Sequence, residues 1–409
     1  MGEDKTIEFE SGRQTLVFWN MDDYPIPVGT SDDLGAVSSN MFEALQQMGF
    51  RGYMSMEVYS EQPKSYEKEE WWMPQICYAP KCKSYSAIFH ELPDIALWII
   101  DMTSRTGPGP LNVALIAKPN GELLRVLRCL KSRNHDVLVI DPPPPCCPPL
   151  FSVASLLENA RLLDGPKPRF KAMLPDYLYV DDIDEENLDI KEDVSKTVDF
   201  SERIPTVKGE RTAVFWDAED CPFPPSSTPD EIYHSIASAL VEIGSSDKIT
   251  IWAYLDGDKK GSWRDALLGV EKTWASRIYF LPGGDHFHSF LFFIYISLSY
   301  LLYSHLHLII VIYFPGDNSS RRNRMLNDLY FWVRDSSPRR NKMSPEASLV
   351  IFSDQFNDDD SYYTHMLQNL SKRGYHLLLV IPTTQDINEP ENPEWPGSLI
   401  DGGAYCFDD

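Results

Sequence analysis

The sequence predicts an α/β protein of two tandem units, each a parallel sheet flanked by helices. Three observations carry this. First, the segment TLVFWNMDDYPIP at 15–27 returns as TAVFWDAEDCPFP at 212–224, with Trp19 and Trp216 197 positions apart. That spacing is domain-sized, far longer than a solenoid repeat. Second, the later text repeats: LNVALIAKPNGELLRVLRCLKSRNHDVLVIDPP (111–143) parallels SLVIFSDQFNDDDSYYTHMLQNLSKRGYHLLLVIPT (348–383). Third, short apolar strands alternate with helices, the pattern of a parallel sheet covered on both faces.

The elements follow in order as β-α-β-α-β-α-β. In the second unit AVFWDA (213–218) is an apolar, β-prone strand. PDEIYHSIASALVEIG (229–244) is a helix: Ile232, Ile236, Ala239, Leu240 and Ile243 keep helical spacing, and Gly244 suits the C-terminal cap. KITIWAYLD (248–256) is the second strand and SWRDALLGVEKTWASR (262–277) a helix. RIYFLP (277–282) is a short strand, and RRNRMLNDLYFWVRD (321–335) a long amphipathic helix. The repeated closing segment then gives a strand, a polar loop, a helix and a strand. Leu329, Trp332 and Val333 on the long helix, and Trp71-Trp72, read as core.

The expected domains are 13–142, a linker over 143–209, a second domain over 210–384, and a tail over 385–409. PPPPCCPPL (142–150) is a stiff spacer. A short helix at 150–163 packs back on the first domain. The acid-rich stretch 176–202 reads as solvated and largely disordered.

Lys and Arg number 37 against 61 Asp and Glu, a net charge of −24. Such a chain is not held to nucleic acid by overall charge, since phosphate affinity needs cations; DNA is not an expected partner. The seven cysteines are odd in number. Cys77 and Cys82 lack the second pair or His-x-His partner of a zinc site, and Cys146-Cys147 sits in a proline run. With no apolar signal core in MGEDKTIEFESGRQ, free thiols in the cytoplasm or nucleus are expected.

Residues 286–316 break the second unit with an uncharged, apolar run. By length it is a transmembrane candidate, and a membrane partner is expected only if the segment is genuine. Its flanks are near-duplicates, FLPGGD and YFPGDN. Deleting His286–Asp317 or Asp285–Gly316 gives the same join, a removal of 32 residues, or 96 nucleotides. A retained, translated intron explains this best, because a span fits poorly inside a compact domain. The segment is expected to lie outside the core.

The chemistry-bearing residues lie at strand ends, where ligands of parallel sheets bind. Asp217 follows the buried VFW strand, a costly place for an acid unless it is paired or holds a metal. Glu219 and Asp220 follow; Asp256 and Asp258 end the second strand; Asp354, Asp358, Asp359 and Asp360 follow the fourth. Carboxylates brought together there suit Mg²⁺ or Mn²⁺, which can activate water for phosphodiester cleavage. The catalytic candidates are Asp217, Asp220 and Asp354, and the metal candidates Asp217, Asp354 and Asp360. Asp217 is expected to face Asp354 or Asp360 across a polar cleft. Candidate RNA contacts are Arg321, Arg322 and Arg324 at the start of the long helix. Arg339, Arg340 and Lys342 follow that helix. In the first unit Arg125, Arg128 and Lys131 share a helix face.

VFWDAEDCPFP resembles the opening motif of the NYN domain, a PIN-like ribonuclease fold, in its meiosis-regulator and mRNA-stability-factor type. RGYHLLLVIP (373–382) is similar to that family's closing strand. The likeness spans most of 13–142 and 210–384. It implies two tandem PIN-like Rossmannoid domains, a metal-dependent endoribonuclease class, RNA or RNP partners and, through the family alone, a peroxisomal link. The ending AYCFDD lacks the peroxisomal tripeptide. Carried over by residue, the family's first acid is Asp217 and its Asn position Asp220. Its second acid falls near Arg322, the following Asp is Asp328, and the late motif meets Ser353-Asp354, with Asp360 the other candidate and Tyr362 at its second acid. In the first unit Asn20 replaces the first acid and Ile88 falls near the second. KPNGEL (118–123) replaces the late motif and keeps only Glu122.

Three functions are therefore expected to compete: an RNA- or RNP-binding regulator of gene expression with a degenerate nuclease site, an active endoribonuclease in the second unit, and a protein scaffold without RNA.

Overall fold

The computed structural model describes residues 6–25, 34–59, 76–78, 95–106, 109–141, 151–170, 200–204, 211–221, 227–255, 278–282, 285–286, 314–315, 318–336, 347–353, 362–380 and 404–406. The helix expected at 262–277, the spacer 142–150, and Trp71-Trp72 lie outside these residues, as do Arg339, Arg340 and Lys342.

Unit one runs β1 (Thr6–Phe9), β2 (Thr15–Asn20), α1 (Leu34–Met48), β3 (Met54–Tyr59), β4 (Ile76–Tyr78), α2 (Ile95–Arg105), β5 (Asn112–Ile116), α3 (Gly121–Ser132), β6 (Asp136–Ile140), α4 (Val153–Asn159), β7 (Ala160–Leu162) and β8 (Lys167–Phe170). Unit two runs β9 (Arg211–Asp217), α5 (Pro229–Glu242), β10 (Ile249–Leu255), β11 (Ile278–Pro282), β12 (Asp285–His286), β13 (Phe314–Pro315), α6 (Asn318–Ser336), β14 (Ala347–Phe352), α7 (Tyr362–Ser371), β15 (His376–Val380) and β16 (Ala404–Cys406).

The two sheets have one topology. Unit one is ordered β4-β3-β2-β5-β6-β7 and unit two β11-β10-β9-β14-β15-β16. In each, five strands are parallel and the sixth is antiparallel to the fifth. The first strand of each six-stranded sheet in chain order, β2 or β9, is central and buried on both faces. Its alternating side chains explain why. Val17 and Trp19 join the core under α1, while Leu16 and Phe18 point to the opposite core. In unit two Val214 and Trp216 face α5, and Ala213 and Phe215 face the other way.

That other core is shared. Leu16, Phe18, Phe215 and Trp252 from both sheets belong to one apolar cluster, together with residues of α2, α3, α6 and α7. Those four helices therefore fill the space between the sheets, and α1 and α5 cover the outer faces.

Local chemistry fixes the ends. Thr228 and Glu231 form a reciprocal capping box on α5, with Pro229 in its first turn. Gly244, two residues past the helix, takes φ +96°, the left-handed conformation glycine adopts without Cβ strain. Asn120 caps α3 by accepting from the Leu123 amide at 2.7 Å.

Four expectations need correction. Segment 151–170, assigned to the linker, belongs to unit one: Phe151, Leu156, Ala160 and Leu163 are buried, and β7 hydrogen-bonds antiparallel to β6. The unit also begins before residue 13, since β1 pairs with β8. The tail contributes β16 to the second sheet. Finally, the end of the acidic stretch is anchored: Phe200 is fully buried, stacked on Phe215 and near Trp252, while Ser201 and Glu202 stay exposed. An aromatic ring gains far more from burial than an acidic neighbour loses by staying at the rim. The rest of 176–199 lies outside the described residues.

The apolar run 286–316 is described only at its ends. There Asp285 pairs with Pro315 and His286 with Phe314, antiparallel. The flanks thus meet, with β12 approaching α3 of unit one; 287–313 lies outside the described residues. Among the described residues no helix is long and apolar enough to cross a membrane.

Candidate functional site

The central strand of each sheet delivers one polar residue to its carboxyl end: Asn20 in unit one, Asp217 in unit two. The turns that follow are built alike. The indole of Trp19 donates to Tyr24 O at 2.9 Å, and that of Trp216 to Cys221 O at 2.6 Å. Asn20 Oδ1 accepts from the Asp22 amide at 3.0 Å. Asp217 Oδ1 accepts from the amides of Glu219 and Asp220 at 3.1 and 3.2 Å. These are Asx-type turns, in which a short polar side chain replaces a backbone acceptor. Each aims a second acid, Asp23 or Asp220, back at the strand end.

What binds that pair differs between units. In unit one the Asn20 amide donates to Asp23 Oδ2 at 2.9 Å, and the Lys118 amide donates to the same oxygen at 2.8 Å. In unit two the donor is a guanidinium. Arg321 Nε lies 3.0 Å from both Asp217 oxygens, and its Nη2 lies 3.3 Å from Asp220 Oδ1. Ser353 Oγ donates to Asp220 Oδ2 at 3.1 Å. Asp217 is wholly buried and Arg321 2% exposed. Burial, then the Asp220 charge, push the Asp217 carboxyl up to about 7; the charge and hydrogen bonds of Arg321 pull the other way.

This arrangement does not fit a hard divalent cation as it stands. A cation on Asp217 needs the oxygens that Arg321 holds, and a guanidinium alongside would repel it. Asp354 and Asp360, the other expected ligands, lie outside the described residues, as do Asp256, Asp258, Asp358 and Asp359. Among the described residues no cluster of three or more His, Cys, Asp or Glu side chains suits a metal.

The basic patches are likewise engaged. Arg321, expected to contact RNA, is 2% exposed and pairs with Asp217 and Asp220. Arg324 is buried, with Nε 3.0 Å from Asp328 Oδ2. Arg322 is half-buried on the same helix. In unit one Arg125 pairs with Glu122 and with Asp328 of unit two at 2.6 and 2.8 Å. Arg128 pairs with Asp164, and Lys131 donates to Leu163 O. Leu329, Trp332 and Val333 are core, as their spacing predicts.

One cluster escaped sequence reasoning. The family resemblance assigns Glu122 and Asp328 to two separate centres, yet Arg125 joins them between the units. Arg125 bridges them, Asn327 donates to Glu122 Oε1 at 2.8 Å, and Tyr254 donates to Asp328 Oδ2 at 3.1 Å. Burial, and then the Asp328 charge, raise the Tyr254 phenol well above its ordinary range. The only sequence signal was the i, i+3 spacing of Glu122 and Arg125. Cys129 and Cys221 are buried thiols outside any disulfide.

No family model matches the chain, and no curated protein matches it. A solved structure titled "OtsA apo structure" aligns over 93% of this chain and 92% of its own, at 11% identity and a TM-score of 0.18. So slight a likeness carries no argument.

Proposed function

We propose that this chain is a tandem NYN-like protein of RNA metabolism, of the PIN-like endoribonuclease class, that regulates gene expression after transcription by binding RNA or an RNP partner without cutting RNA. The reading rests on the Arg321 guanidinium, which spans Asp217 and Asp220 at the carboxyl end of β9. In-line cleavage by two metals needs several open carboxylate oxygens around attacking and leaving groups. Unit two has committed Asp217 and Asp220 to an internal cation, and unit one has Asn20 in place of the first acid. The common strand order of both units supports a tandem duplication, the arrangement this reading requires. The cytoplasm or nucleus is the compartment that goes with this role.

The test is incubation of the full chain with labelled single-stranded RNA in millimolar Mn²⁺ or Mg²⁺, with Asp217→Asn alongside. No cleavage by either protein is expected. Metal-dependent cleavage by the wild type that Asp217→Asn abolishes would establish the active-nuclease reading instead. Binding of the same RNA, weakening steeply with salt, separates an RNA ligand from a protein one. Absence of both RNA binding and association with RNP proteins would leave the scaffold.

A further inference from the structure

The surface between the units carries a symmetry that no single-unit feature requires. Arg133 stands three residues before the first residue of β6, and Arg373 three before that of β15. The residue after each adopts the left-handed conformation: Asn134 at φ 65° and Gly374 at φ 86°. On the helices that cross between the sheets, Asp101 and Asp335 each follow a tryptophan by three, Trp98 on α2 and Trp332 on α6. Both tryptophans are buried. Arg133 and Arg373 are therefore equivalent positions, and so are Asp101 and Asp335.

The contacts between them are reciprocal. Arg133 of unit one forks onto Asp335 of unit two, Nε to Oδ1 at 2.9 Å and Nη2 to Oδ2 at 2.7 Å. Arg373 of unit two reaches Asp101 of unit one, Nη2 to Oδ1 at 2.5 Å. Equivalent helices α2 and α6 pack on one another. When residue i touches j of the partner, and the partner's i touches j in return, the interface is isologous, the mark of a twofold axis.

We propose that the two units pair as the subunits of a homodimer pair, about a quasi-twofold axis, through one self-complementary face. Unit one occupies the face that unit two would otherwise offer to a second copy of itself. The two sides differ in their surroundings: Arg105 also pairs with Asp101 at 2.6 Å on one, and the segment Phe200–Ile204 covers the other. Arg133 also donates to Phe200 O and Glu202 O, each at 3.1 Å, and the Ile204 amide donates to Asp335 Oδ2 at 3.0 Å. This holds whether or not RNA is bound or cut, because none of these residues belongs to the strand-end site.

The test uses the full chain with a protease site inserted within 171–199. After cleavage, light scattering on the eluted protein should show the halves together as one 1:1 particle. Arg133→Asp should release them. Each released unit two still carries both Arg373 and Asp335, so it should pair with another unit two and elute as a dimer. Halves that separate on cleavage of the wild type, or a released unit two that stays monomeric, would overturn the inference. Should the released half precipitate, the uncut chain decides. Arg133→Asp and Arg373→Asp should each lower the melting temperature by several degrees, and addition of Asp335→Arg or Asp101→Arg respectively should restore it. A silent reversal at Arg373, or an unrestored loss in either pair, would also overturn it.

Discussion

Arg321 is the residue on which the strand-end site turns. A buried carboxylate stripped of its partner costs about 3–5 kcal/mol, so Arg321→Ala should destabilise unit two by that order in urea unfolding. The same change frees oxygens on Asp217 and Asp220, neighbours through one turn. The variant should therefore gain a melting shift in millimolar Mn²⁺ by mass action, where the wild type shows none, and Arg321→Ala with Asp217→Asn should lose it again. An equal Mn²⁺ shift in wild type and variant would show that the guanidinium does not hold the cation position. Reading the sequence alone brought out Asp217 correctly as an acid that needs a counter-charge. It missed the counter-charge itself, because Arg321 lies 104 positions away and an arginine beside two others reads as a solvent-facing patch. Nothing in composition tells a guanidinium that binds RNA from one that binds its own fold.

At the scale of elements, the legible parts were those set by local patterns. The helical spacing of 229–244, its capping glycine at 244 and the VFW strands are all written within a few residues of themselves; the capping box at Thr228 emerged only with the structure. Thr228→Ala should cost about 1 kcal/mol, the ordinary worth of such a cap, measured by urea unfolding; a loss below a few tenths would deny the cap its role. The antiparallel edge strands β7 and β16 were not legible. Each is three residues long, too short for periodicity, and depends on a partner strand for its hydrogen bonds. The apolar run 286–316 is a further test at this scale. Its ends pair as β12 and β13, so excising 286–317 should leave one cooperative melt at an unchanged temperature. Transcripts should be dominated by a form shorter by 96 nucleotides. A chain unfolded by the excision would make the segment part of the fold.

For the whole molecule, the junction of the units holds a buried histidine through which stability should respond to pH. His135 accepts from the Leu111 amide at 3.1 Å through Nδ1 and meets Arg334 Nη2 at 2.6 Å through Nε2. Burial, then the charge of Arg334, with Arg133 and Arg13 adding to it, depress the imidazole to about 3. The unfolded chain thus binds a proton near pH 6.5 that the folded chain refuses. Stability from this group is full above about pH 6.5 and is lost as pH falls toward 3. His135→Gln should flatten the decline in unfolding free energy between pH 7 and pH 5; an identical slope in both proteins would remove His135 from the account. This junction was invisible in the sequence. The repeat announced two units, but the helices that join them carry ordinary amphipathic spacing, and a buried charge between domains has no local signature.

The reciprocal pairs Arg133–Asp335 and Asp101–Arg373 also bear on how such a chain can drift. A duplicated gene lets each half change independently wherever the halves do not touch. At these four positions they are tied: a lone substitution strands a buried charge at Arg133–Asp335, and at Asp101–Arg373, where the arginine is 29% exposed and Arg105 also pairs with Asp101, it removes one of two partners. Among homologous chains, position 133 should change together with 335, and 101 with 373, although each pair lies in different halves and about 200 or more residues apart. Positions 20 and 217, equivalent by descent but never in contact, should be free to diverge, and their present identities as Asn and Asp are what that freedom leaves behind.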